Sequence, residues 1–348
     1  MSTEGSSDVK PAWPNQQEGT CVVRNFRFGS GEVMPELRLH YLTLGTPKRD
    51  GRGAICNAAM LLHNTTGSAR DWLSPELGGE LFGPGQALDA REYYIVLPDA
   101  IGFGGSSKPS DGMRAGFPHY SFRDIVEAEH RLLTEGLGVA HLRLMLGLSM
   151  GGMLTWLFAG MYPDLSDSLV PIASQPAPMS GRNWIQRRIS IEAIRNDPEW
   201  NGGNYTTNPS RYVYTAPFGT LMVQSVVRLQ EQAPTRAAAD ALYEKFVATA
   251  RKGDANNRLY QIEASGTYDP TDILDNIKAP LLAINFADDE LNPPQLDTLE
   301  PVIKRLPNAR YVLVPAGPKS MGHYTALRAT QWKTHLTEFI AALPPVPA

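Results

Sequence analysis

The residues with the clearest chemical potential lie in Gly147-Leu148-Ser149-Met150-Gly151-Gly152. Glycines two before and two after a serine let a strand turn sharply into a helix without side chains colliding across the turn. The serine is then held in a strained backbone conformation with its hydroxyl exposed. The helix N-terminus behind it favours developing negative charge. This is the pattern of a nucleophile elbow, and its chemistry is attack on an acyl carbon. A Gly-rich turn with a capping serine would use the same letters. The apolar run at 142–146 before the turn and the helical stretch at 151–161 after it favour the nucleophile.

A serine hydroxyl needs a base. In elbow enzymes the chain order is serine, acid, histidine, and of seven histidines only His323 and His335 follow Ser149. His335 falls in a helical stretch, 330–340. His323 ends the Gly-containing loop 317–323, which leaves a strand at 310–315 on the sheet edge expected to carry Ser149, so His323 is the expected base. The acid is expected where the preceding strand, 280–286, ends in Ala287-Asp288-Asp289-Glu290. Three adjacent carboxylates cannot all be buried, so one points inward and the others stay solvated. Asp289 is preferred and Asp288 is the alternative. An oxyanion hole needs two backbone N–H groups. These are assigned to Met150, next to the nucleophile, and to Thr65 in the turn His63-Asn64-Thr65-Thr66-Gly67. His63 reads as structural, because no second ligand accompanies it at metal-site spacing. Gly102-Phe103-Gly104-Gly105 lacks the Lys-Ser/Thr and the helix of a phosphate loop. Neither a cofactor nor a metal is expected.

These residues must be positioned by strands alternating with helices. Alternating apolar and polar residues at 21–28 and 37–44 predict half-buried antiparallel strands. Short apolar runs at 58–62, 93–97, 142–146, 169–172, 280–286 and 310–315 predict buried strands. Helices are expected at 121–136, 151–161, 294–305 and 324–342. The fold class is α/β: a mainly parallel sheet with helices on both faces. Between Ser174 and Pro280 the chain is far longer than a crossover needs and is rich in aromatics. It reads as an inserted lid, with helical stretches near 183–195, 235–250 and 271–277. The expected organisation is a disordered leader at 1–18, a core at 19–175 and 278–348, and a helical lid at 176–277.

Composition removes other classes. With 32 Lys+Arg against 36 Asp+Glu the formal net charge is −4, and no basic run suggests a nucleic-acid partner. No stretch approaches the roughly 18 apolar residues of a membrane span. Cys21 and Cys56 do not make a disulfide scaffold. The polar N-terminus lacks the apolar segment of a signal peptide, so a cytoplasmic setting is expected.

The chain resembles the α/β-hydrolase superfamily and, within it, the homoserine O-acetyltransferase-like family, over roughly residues 20–342. Matching pieces are His63-Asn64-Thr65-Thr66-Gly67, Ser121-Phe122-Arg123-Asp124-Ile125-Val126, the elbow through Met153, Asp197-Pro198-Glu199-Trp200-Asn201-Gly202-Gly203-Asn204-Tyr205, Asp289-Glu290-Leu291-Asn292-Pro293-Pro294 and Gly322-His323. The resemblance implies the α/β-hydrolase fold, a Ser149/Asp289/His323 triad and a helical lid that in relatives often forms a dimer. The acetyltransferases carry a lid arginine and an aspartate after the catalytic histidine, which meet the amino-acid substrate's carboxylate and amine. Here those positions are Pro217 and Tyr324. The resemblance therefore points to a hydrolase-type member acting on a small-molecule ester or amide, with the lid aromatics forming a mostly apolar pocket. The alternative is an acetyl-CoA-dependent O-acyltransferase, with Arg187, Arg188 and Arg211 placed to meet a CoA phosphate. A binding protein without turnover is the third reading.

Overall fold

The computed structural model describes residues 13–344. In chain order the elements are β1 (Gln17–Arg27), β2 (Val33–Leu44), β3 (Ala58–Leu62), α1 (Gly78–Leu81), β4 (Tyr94–Pro98), α2 (Phe122–Arg131), β5 (Leu144–Leu148), α3 (Met150–Met161) and β6 (Leu169–Ile172). Helices α4 (Gly181–Arg195), α5 (Ser210–Val223), α6 (Val226–Gln232), α7 (Arg236–Lys252) and α8 (Ala255–Ser265) follow. The chain then returns through β7 (Leu281–Phe286), α9 (Glu300–Arg305), β8 (Ala309–Val314) and α10 (Lys333–Ala341).

The eight strands form one sheet in the order β1-β2-β4-β3-β5-β6-β7-β8. β1 pairs antiparallel with β2, and β2 antiparallel with β4. The other neighbours are parallel, as expected. Central strands covered on both faces read as unbroken apolar runs, and every residue of β5, Leu144–Leu148, is buried. On one face Met60, Leu62 and Met145 pack with Ile125 and Val126 of α2 and with Leu154 and Phe158 of α3. On the other, Leu61, Leu144 and Leu146 pack with Trp72, with Leu81 of α1, with Trp332 just before α10 and with Leu336 of α10. α3 is buried on nearly all sides, which explains its almost wholly apolar sequence.

The lid helices fold around a core of their own. Ile191 and Ile194 of α4, Tyr212 and Val213 of α5, Val247 of α7, and Leu259 and Ile262 of α8 form it. The Asp-Pro-x-Trp-x-Gly-Gly-x-Tyr stretch clamps α8 through Asn256. Asn256 Oδ1 accepts from Trp200 Nε1 at 2.8 Å, its Nδ2 donates to the Gly203 carbonyl at 2.9 Å, and its N–H donates to the Tyr205 hydroxyl at 2.9 Å.

The structure departs from the sequence reading at several elements. The leader expected at 1–18 lies outside the described residues up to residue 12. Residues Gln17 and Glu18, however, already belong to β1, and Trp13 packs edge-on against Phe82 at 5.5 Å. The helix expected at 271–277 is a single 3-10 turn, Leu274–Asn276. The helix expected at 294–305 starts only at Glu300, because Asp297 adopts left-handed backbone (φ 48°) after a turn at Pro294–Leu296. Residues 324–342 break into two 3-10 turns before α10. Helices α5, α6 and α8 are additions. α5 contains Pro217 in its interior, where a proline removes a backbone donor and argues against a helix.

Candidate active site

Ligands of α/β sheets bind outside the carboxyl ends of the strands, and the loops after β3, β4, β5, β7 and β8 meet there. β5 ends at Leu148 and α3 begins at Met150, so Ser149 alone makes the turn, with φ 55° and ψ −110°. That region is sparsely populated by non-glycine residues and costs on the order of 1–3 kcal/mol. Neighbouring backbone holds it. Ser149 N–H donates to the Ile172 carbonyl of β6 at 2.8 Å, and Gly151 N–H donates to the His63 carbonyl at 3.1 Å. A Cβ on Gly147 would lie 2.0 Å from the Gly151 carbonyl oxygen, and one on Gly151 would lie 2.3 Å from that of Leu62. Both flanking glycines are therefore required by backbone contacts.

From this turn a hydrogen-bonded chain runs inward. Ser149 Oγ is 2.7 Å from His323 Nε2, and His323 Nδ1 is 2.7 Å from Asp289 Oδ2. An ionised carboxylate only accepts, so Nδ1 carries the imidazole proton and Nε2 is free to accept from the serine. Asp289 is 1% exposed and its second oxygen accepts from Leu291 N–H at 2.8 Å and Asn292 N–H at 3.1 Å. Burial pushes the Asp289 carboxyl up, but the adjacent His323 and these donors together hold it below the ordinary carboxylate range. The Asn292 side-chain amide donates to both Asp289 Oδ2 (3.2 Å) and the Ala173 carbonyl (2.9 Å), tying the acid to the end of β6. Of the two candidate acids, Asp289 touches His323. Asp288 instead accepts from Gly322 N–H at 2.8 Å and braces the histidine loop.

Thr65 and Met150 flank the serine. Thr65 lines the cavity together with Ser149, and Met150 opens α3, where a first-turn N–H has no partner within the helix. His63 is locked as a neutral imidazole: Nδ1 donates to the Asn64 carbonyl at 2.7 Å and Nε2 accepts from Ala100 N–H at 3.1 Å. Burial pushes its pKa down. Asp99 gathers the surrounding loops, accepting from Ala69 N–H (2.6 Å), Gly105 N–H (2.8 Å) and facing His40 Nδ1 (2.7 Å). The Gly102–Gly105 turn is thus a structural corner built on Asp99.

Ser149 and His323 line a cavity of about 570 Å³ whose other walls come largely from the lid helices. α5 faces it with Tyr212, Ala216, Thr220 and Val223, one helical stripe. The lining is more apolar than polar, as the sequence leads one to expect, but it is not free of charge. Arg187 of α4 and Arg258 of α8 both line the cavity, beside Tyr212 and Tyr324. Nothing in the local sequence pattern marks Arg258, and Asn292, although inside the matching piece Asp289–Pro294, gives no sign there that it holds the Asp289 carboxylate. The three arginines expected near a CoA phosphate are not together. Arg188 pairs with Glu192 and Arg211 donates to the Asn196 carbonyl, both on an outer groove between α4 and α5. Arg187 alone faces the cavity.

A match to the alpha/beta hydrolase fold spans residues 81–321. The homoserine O-acetyltransferase of Moorella thermoacetica is 30% identical over 308 residues, covering 76% of this chain and 80% of that protein. The chain therefore belongs to the α/β-hydrolase family of enzymes, and within it to the homoserine O-acetyltransferase-like family that its motifs resemble. Among solved structures, a homoserine O-acetyltransferase from Bacillus anthracis shares the fold with a TM-score of 0.82 at 19% identity, over 95% of this chain and 99% of that one. An acetylester hydrolase from Corynebacterium glutamicum does so with a TM-score of 0.79 at 20% identity, over 94% and 96%. Among the described residues no helix is long and apolar enough to cross a membrane.

Proposed function

We propose that the protein is a serine hydrolase that cleaves a carboxylic ester of a small molecule through an acyl-enzyme. The observation that carries this reading is the chain Ser149–His323–Asp289 at two 2.7 Å contacts, opening into a cavity beneath the lid helices. In this mechanism His323 Nε2 takes the Ser149 proton as Oγ attacks the acyl carbon. Asp289 holds the imidazole tautomer and stabilises the imidazolium that forms. The N–H groups of Thr65 and Met150 receive the oxyanion. His323 then gives its proton to the departing alcohol. Water attacks the acyl carbon with His323 again as base, and Ser149 leaves with its proton restored.

Hydrolysis rather than transfer is supported by two positions. Pro217 is buried in α5 where acetyltransferases are expected to carry an arginine, and Tyr324 follows His323 where they carry an aspartate. An acceptor outcompetes water only if it is held with high effective molarity. The relatives' names favour the second reading, an acetyl-CoA-dependent O-acyltransferase. Incubation with an activated acetyl ester, with and without millimolar homoserine, separates the two. Free acetate in a yield insensitive to homoserine is expected. Saturable acetyl transfer to homoserine, or turnover that requires acetyl-CoA, would establish the transferase.

A further inference from the structure

The Ser149 chain accounts for the floor of the cavity but not for its roof. Arg187 is only 7% exposed, and its side-chain bonds go to neutral acceptors: Nε to Asn183 Oδ1 at 3.2 Å and Nη1 to Ser265 Oγ at 3.1 Å. Arg258 makes no side-chain hydrogen bond among the described residues. Neither guanidinium has a carboxylate oxygen within 4.0 Å among them. Arg143, also buried, shows the contrast, since it pairs with Asp167 at 3.2 Å. Lys108, on the cavity wall, is neutralised by Asp111 at 2.8 Å. The carboxylate that lines the cavity, Asp254, is engaged as the cap of α8, accepting from Asn257 N–H at 2.8 Å.

Two unneutralised cations in a partly dry space are costly to the free protein. Burial and the like charge of Arg258 both push the Arg187 guanidinium below its ordinary pKa, and burial does the same to Arg258. The fold nevertheless holds α8 in place through Asn256 and its three hydrogen bonds. A bound anion would remove the repulsion and satisfy the free donors of both forks.

We propose that Arg258 and Arg187 form an anion subsite that selects esters carrying a carboxylate, on the acyl or the alcohol side, with no ammonium beside it. The ammonium is excluded from the class because it would face the like charge of the two guanidiniums, and Tyr324 brings no compensating charge next to His323. These arginines occupy positions other than the one, now Pro217, where the resemblance placed an arginine. The inference rests on the hydrolase reading for its chemistry, and the experiment separates the two.

Steady-state kcat/KM is measured for 4-acetoxybutanoate, its neutral amide and its 2-amino derivative, and for monoethyl succinate against ethyl succinamate. The first pair and the last pair place the carboxylate on the alcohol and the acyl side. In at least one pair the anion is expected to be preferred about 10- to 100-fold, with the 2-amino derivative worse than 4-acetoxybutanoate. Arg258→Gln should bring the anion-to-amide ratio toward one and Arg258→Lys should restore part of it. A purely structural role would lower both substrates together. Equal kcat/KM within both pairs, or a ratio unmoved by Arg258→Gln, overturns the subsite and leaves the hydrolase intact. If no ester is cleaved the hydrolase reading fails, and calorimetric titration of succinate into Ser149→Ala decides the subsite. Binding lost on adding Arg258→Gln supports it, and absence of binding overturns it.

Discussion

At Ser149 a strained backbone and a short hydrogen bond meet in one residue. Removing the hydroxyl leaves the elbow's backbone contacts intact, so Ser149→Ala should retain its Tm and lose several orders of magnitude in turnover. A fluorophosphonate probe should label the parent chain at Ser149, and equal labelling of the alanine variant would remove the assignment. The two neighbouring carboxylates are separated by what they touch. Asp289→Asn should cost on the order of 10⁴-fold in rate, because the amide favours the wrong imidazole tautomer. Asp288→Asn touches only the Gly322 amide and should stay within about tenfold; the reverse ranking would move the acid to Asp288. The native pKa of Asp289 is depressed, so its contribution to stability is present above the unfolded value of about 3.9 and is lost as pH falls through the native value. The Tm difference between the parent chain and Asp289→Asn should therefore be constant near neutrality and shrink below about pH 4. A difference that instead widened in acid would show that the carboxylate is not stabilised by its native partners.

At the scale of elements, the strand–turn–helix unit works only if its flanks have no side chains. The clash partners of an added Cβ are main-chain atoms, the carbonyl of Gly151 for Gly147 and that of Leu62 for Gly151, and neither can rotate away. Gly147→Ala or Gly151→Ala is therefore expected to destabilise the fold by more than about 3 kcal/mol and to abolish probe labelling of Ser149. Denaturant unfolding of the two variants checks this, and a parent-like midpoint with parent-like activity would show that the backbone can open there. The loops that follow the strands are secured by single polar side chains: Asp99 after β4, Asn292 after β7 and Asp288 against the loop after β8. Each sits beside a motif that reads as catalytic or Gly-rich, and each acts by holding backbone in place.

At the scale of the molecule, the lid has an inner face with arginines and an outer face with exposed apolar side chains. Ile185 and Ile189 of α4, Phe218 and Leu221 of α5, and Val226 and Val227 of α6 are all exposed. Large exposed apolar side chains on three successive lid helices leave surface that a partner could cover, and a second copy joined through the lid is the arrangement the resemblance implies. Sedimentation is expected to give a dimer that Ile185→Glu with Val227→Glu converts to a monomer, with Tm measured on both. A monomeric parent chain would remove that expectation.

That Ser149, His323 and Asp289 would come together was legible in the sequence because the placement of each depends on local pattern. Glycines two residues either side of Ser149 reflect contacts within one turn. Asp289 and His323 each follow a buried apolar strand, and parallel strands deliver their carboxyl ends to one edge whatever lies between. Even the choice of Asp289 over Asp288 came from a motif, although it is the burial of one carboxylate against His323 that makes it so. Helix limits were less legible, since Asp297 stops a helix by adopting left-handed backbone and Pro217 sits inside one. What only the tertiary structure decided is the character of the cavity. Aromatic residues spread through the lid suggest a mostly apolar pocket, but which charged side chains join them depends on how α4, α5, α7 and α8 pack around their own core. That packing turns Tyr212 inward, leaves Arg188 and Arg211 on the outer groove, and brings Arg187 and Arg258 from separate helices over Ser149. No periodicity within either helix encodes that meeting, because it is set by contacts between helices distant in sequence.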